Sequence, residues 1–145
     1  MQLFIDCEFN SMNGGLISMA LVSEDGEREF YEVVECNEAI DPWVRDNVMG
    51  ILQKNAVTYT EFQAKLKKFL GQFPAVEIVA DYPDDIKHFC NSVITGAGEW
   101  MMIQPLTLVI DDDLSAKGSV VPHNALEDAR SLRLSWLSNN GYEAA

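Results

Sequence analysis

The apolar run Leu3-Phe4-Ile5 leads directly into Asp6-Cys7-Glu8, and this junction constrains the fold more than any other stretch of the chain. The run reads as a first strand. Residues i and i+2 of a strand project from one face, so Asp6 and Glu8 aim at one point while Cys7 turns into the core as a small hydrophobe. Two like charges that close repel and resist joint ionisation, so the pair requires either a cation between them or a strand end open to water. Oxygen ligands with no His or Cys cluster beside them favour a hard ion, magnesium or manganese, over zinc. Taken alone, an Asp-x-Glu at a strand end also fits a solvated turn.

A second motif shifts that balance. His123-Asn124-Ala125-Leu126-Glu127-Asp128-Ala129 precedes an apolar helical pattern through Leu132 and Trp136. Asn124 reads as an N-cap with Glu127 three residues on, a near match to the capping box. That places His123 just outside the helix and Asp128 in its first turn, where the helix dipole favours a carboxylate. A mobile base thereby stands beside a fixed ligand.

These motifs resemble the DEDDh group of 3′-to-5′ exonucleases: Asp-x-Glu on the first strand, an Asp in mid-chain, and His-x-x-x-x-Asp opening a late helix. Leu16-Ile17-Ser18-Met19-Ala20-Leu21-Val22 and Trp43-Val44-Arg45 are also similar to the small stand-alone exoribonucleases of that group, so the resemblance covers most of the chain. It implies an α/β ribonuclease-H-like fold, with a five-stranded mixed sheet flanked by helices. It also implies two Mg2+ or Mn2+ ions held by Asp6, Glu8, Asp85 and Asp128, with His123 as general base. The substrate would be a single-stranded 3′ end, RNA rather than DNA, cut to 5′-mononucleotides; relatives are commonly dimers, so a homodimer is compatible. For the middle ligand Asp81, Asp84 and Asp85 compete. Asp85-Ile86-x-x-Phe89-Cys90 looks like the family motif, although relatives usually carry an aromatic residue where Asp84 stands. Phe9, Asn10 and Met12, leaving the first strand beside Glu8, are the expected substrate contacts, a stacking face and an amide suiting single-strand binding.

At 145 residues and 48% hydrophobic, the chain reads as one domain, residues 1–145, able to bury a core unaided. It lacks a membrane-length apolar run and a signal-peptide pattern, so a cytoplasmic location and no membrane partner are expected. Cys7, Cys36 and Cys90 show no CxxC spacing, which argues against a disulfide framework or zinc site. The net charge of −13 is the main objection to a nucleic-acid partner. Bound cations would offset part of it, and gripping only a 3′ end needs few phosphate contacts. Arg130, Arg133 and Lys87 are the phosphate-contact candidates, each equally readable as a solvated charge. Rival readings are single-stranded DNA as substrate, a non-catalytic nucleic-acid-binding module, and an acidic cation-binding protein. Asp111-Asp112-Asp113 lacks the alternating ligands and Gly of a calcium loop.

Hydrophobic periods give the element order. Strands are expected over Leu3 to Asp6, Leu16 to Val22, Arg28 to Val34, Val76 to Ala80 and Leu106 to Ile110, with a hairpin turn at Glu24-Asp25-Gly26. Helices are expected after Asp41-Pro42, over Thr60 to Phe73 with Thr60 and Gln63 as a capping box, over Asp84 to Ile94, and after Asn124. Trp43, Val44, Val48, Ile51 and Leu52 share helical spacing; His88 reads as a surface or satisfied histidine, and Trp100 as a loop anchor.

Overall fold

In the computed structural model, which describes residues 1–142, strand β1 spans Gln2–Phe9. It is longer than Leu3 to Asp6, and Glu8 and Phe9 lie within it, not beyond it. Its neighbours explain the extension. β2 (Leu16–Ser23) pairs antiparallel along its whole length, setting Asp6 opposite Ala20 and Glu8 opposite Ser18, with a bulge between Glu8 and Phe9. A bulge bends the strand and re-aims the side chain after it. β3 (Glu29–Val34) completes an antiparallel meander through the expected turn, where Gly26 takes the left-handed φ of 74°.

Beyond the meander the connections become helical. α1 (Pro42–Asn47) starts at Asp41, whose carboxylate accepts from Trp43 N–H, and a 3-10 turn follows at Met49–Ile51. Val44, Val48 and Leu52 pack against Ile17 and Val33. α2 (Tyr59–Leu70) is capped by Thr58, not Thr60; its hydroxyl accepts from Glu61 N–H at 3.2 Å. The preceding Ala56–Val57 forms a short strand, β4, parallel to the end of β3. The sheet is therefore six-stranded, not five-stranded, because two residues are too few to display a strand period. β5 (Val76–Ala80), α3 (Pro83–Val93) and β8 (Leu106–Ile110) follow, with a two-stranded ribbon of β6 (Ile94–Gly96) and β7 (Glu99–Trp100) where a loop was expected. α4 (Ala125–Asn139) ends the described fold; residues 143–145 of the expected unit lie outside it.

The strand order is β4-β3-β2-β1-β5-β8, with β1, β5 and β8 parallel. β1 is central, and its alternation divides the core. Leu3, Ile5 and Cys7 join Phe62, Leu66 and Phe89 of α2 and α3 on one face, while Phe4 meets Leu132 of α4 on the other. Asp6 and Glu8, sharing Phe4's parity, point to the α4 face. There Ala20 and Val22 receive Ala125 and Ala129, and these small side chains let the first turn of α4 approach the sheet closely. Among the described residues no helix is long and apolar enough to cross a membrane.

Candidate metal centre

Five carboxylates converge where β1 and β5 end. Asp6, Glu8 and Asp128 offer oxygen atoms within 4.8 Å of one another, and Asp6, Asp81 and Asp85 form a second such group. Asp6 belongs to both. Asp128 arrives through the alanine contact of α4, with the helix start fixed as the capping pattern predicts: Asn124 Oδ1 accepts from Glu127 N–H at 3.1 Å. Glu127 does not complete the capping box; its carboxylate binds Arg130. Asp85 lies in the first turn of α3, behind Pro83, and is only 4% exposed. Cys7 N–H donates to its Oδ1 at 2.9 Å, fixing that carboxylate against β1.

Of the three acids competing for the middle position, two are brought to the centre. Asp85 was the expected ligand, and Asp81 stands beside it. Asp84 belongs to neither carboxylate group and pairs with Lys87 at 3.5 Å. The sequence offers Asp81 as a competitor but favours Asp85 over it, because the position of Asp81 depends on the pairing of β5 with β1. The pair Phe4↔Val79 sets an offset that, carried two residues on, puts Asp81 next to Asp6.

The electrostatics are those of an uncompensated cluster. None of the five acids forms an ion pair with Lys or Arg among the described residues. Burial, reinforced by the charges of Asp85, Glu8, Asp128 and Asp81, holds the Asp6 carboxyl well above the usual range. Burial and the charges of Asp128 and Asp85 push Glu8 up to about 8. Asp85 rises to about 7 through burial, against the opposing bond from Cys7. Asp81 and Asp128 are raised as well, burial being the largest cause for each. Asp6 Oδ2 is buried without a hydrogen-bond partner. A buried carboxylate oxygen left unpaired among four more acids is what a cation would satisfy, and the all-oxygen donor set fits Mg2+ or Mn2+.

His123 stands at the rim. Its φ of 71° is left-handed, unusual outside glycine, and its N–H donates to Asp128 Oδ2 at 3.2 Å. Its ring meets the edge of Trp43 at 5.2 Å. Trp43 is 54% exposed and does not join the core positions of α1 as its spacing predicted. It instead lines a cleft of about 640 Å³ with Glu8, Phe9, Met12 and Tyr82.

The expected substrate contacts divide. Phe9 and Met12 line the cleft, but Asn10 is buried, its amide donating to Ala39 O at 2.9 Å and accepting from Asp41 N–H at 2.8 Å. It ties β1 to the start of α1 and has no amide face to offer. His88 is neither exposed nor satisfied: it is 5% exposed, stacks on Phe9 at 4.8 Å and leaves Nε2 without a partner. Of the phosphate-contact candidates, Arg130 is clamped by Glu29 at 2.6 and 2.8 Å, Arg133 Nε donates to Glu24 O, and Lys87 pairs with Asp84. Compared with protein-family models and with curated proteins, the chain matches none.

Proposed function

We propose that this chain is a metal-dependent 3′-to-5′ exonuclease of the DEDDh group with a ribonuclease-H-like fold, acting on single-stranded RNA ends. The observation that carries the reading is the pair of carboxylate groups sharing Asp6, with His123 tethered to Asp128 at their rim. The sheet supports it: an antiparallel meander followed by parallel strands puts the centre at the carboxyl ends of β1 and β5, where open α/β sheets form their binding crevices.

Asp6, Glu8, Asp85 and Asp128 would hold two hard cations. When bound, these supply an activated water and offset the charge on the departing 3′ oxygen. His123 accepts the proton of the attacking water and releases it to solvent from its exposed position. Its backbone bond to Asp128 and its edge contact with Trp43 keep the ring at the cleft mouth. Phe9, Met12, Trp43 and Tyr82 give the cleft apolar walls against which terminal bases stack. The chain's net charge of −13 disfavours long polyanions, so a grip confined to the 3′ end is the mode that fits. Preference for RNA rests on the resemblance, and matched RNA and DNA oligomers test it. Mononucleotide release that needs Mg2+, stops in chelator, returns on adding Mg2+ and runs faster on RNA is the expected result. Undiminished release in chelator would remove the metal, and equal rates on both polymers would remove the preference for RNA.

A further inference from the structure

We infer that Asp81 is a fifth metal ligand and that it builds a second cation seat, with Asp6 and Asp85, which fills before any nucleic acid arrives. The inference rests on the proposed metal-dependent function and adds a residue to it. Its basis is placement. Asp6, Asp81 and Asp85 offer oxygens within 4.8 Å of one another, a group distinct from Asp6, Glu8 and Asp128 except for the shared Asp6. The parallel register of β1 and β5, with Leu3 beside Ile78 and Phe4 beside Val79, brings Asp81 alongside Asp6 without any loop rearrangement.

Two common uses of an aspartate at this position do not apply to Asp81. α3 begins after Tyr82 with no side-chain cap hydrogen bond, so Asp81 does not cap it. The ion pairs among the described residues leave Asp81 out, whereas Asp84, three residues on, has Lys87. A half-buried carboxylate with neither role, facing two more, is destabilising unless a cation joins them. An independent mark is Asp6 Oδ2, buried and without a donor. It belongs to the residue that both groups share, and within each group the oxygens lie close enough together for one ion to touch several at coordination distance. With three carboxylates around each seat and water filling the remaining positions, neither ion needs a substrate phosphate to stay bound, and the resting enzyme carries both.

The test is titration of chelator-stripped full-length protein with Mn2+ in the absence of nucleic acid, the free ion being read by its paramagnetic resonance signal. Wild type should take up two Mn2+ per chain, Asp84→Asn two, and Asp81→Asn one. Metal-free Asp81→Asn should also melt at a higher temperature than wild type, since one repelling charge is gone, and gain less on adding Mn2+. Two ions bound by Asp81→Asn as in wild type would overturn the inference, as would a single ion in a wild-type protein that still degrades RNA with Mg2+. Wild type that binds no Mn2+ and cleaves nothing would bring down the metal-dependent reading itself.

Discussion

His123 carries two constraints that an ordinary residue before a helix does not: a left-handed backbone and an N–H tied to a carboxylate of the centre. Removing the ring while keeping the backbone separates its chemistry from its place. His123→Ala should lower turnover by roughly 10² to 10⁴ while leaving the Mn2+-induced rise in melting temperature intact. Steady-state kinetics beside thermal melts check this, and full turnover would assign the histidine a purely local role. Under the proposed function Trp43, which lines the cleft, would act on the substrate side. Trp43→Ala should weaken binding of a short single strand by about 1 to 3 kcal/mol per lost stack, read by fluorescence titration in Ca2+ or another non-supporting ion. At this scale the sequence was most informative where chemistry and local structure coincide. Asp6 and Glu8 share a strand face, and Asn124 caps the helix that carries Asp128, so a short window holds each relation. Asp81 and Trp43 were not legible in that way. The first depends on pairing across more than seventy residues, and the second on which flank of a six-residue helix faces the cleft.

Elements position the centre through two contacts of opposite character. Cys7 N–H holds Asp85 and the start of α3 by a hydrogen bond, whereas α4 is placed by the fit of Ala125 and Ala129 on Ala20 and Val22. A larger side chain there should push Asp128 away from Asp6. Ala129→Leu is expected to destabilise the protein by about 1 to 3 kcal/mol through overpacking and to impair Mn2+ binding as well. Urea unfolding and ion titration measure the two effects; a destabilised variant with unaltered Mn2+ binding would show that α4 does not set the geometry. The long elements were readable because their hydrophobic period spans several turns or pleats. β4 and the β6–β7 ribbon were not, since two or three residues carry no period and form only by pairing with segments folded elsewhere. The α2 start moved from Thr60 to Thr58 because both threonines have a polar partner three residues on, and the hydroxyl of Thr58 makes the bond.

At the scale of the molecule, five carboxylates meet at one crevice and none of them is paired with Lys or Arg among the described residues, which links stability to pH and to cations. Glu8 and Asp85 sit at about 8 and about 7 instead of 4.5 and 3.8, so the folded state holds protons that the unfolded chain releases. Stability of the metal-free protein is then greatest below about pH 4 as far as these groups are concerned, and it falls as pH rises through about 8. Mg2+ or Mn2+ should counter that fall, adding about 2.7 kcal/mol at a hundredfold excess over the dissociation constant. Melting curves from pH 5 to 9 with chelator or with Mg2+ check the crossing of the two profiles; parallel profiles would mean that the ion does not bind at the five acids. The central claim, that this crevice is a nuclease centre working from the 3′ end, is tested most directly by following a 5′-labelled single-stranded RNA in Mg2+. The account predicts a ladder of labelled products shortening one residue at a time with 5′-mononucleotides released, and no ladder when the 3′ end is blocked or Asp6 is replaced by Asn. An RNA left at full length, or cut internally with the 3′ end blocked, would contradict it.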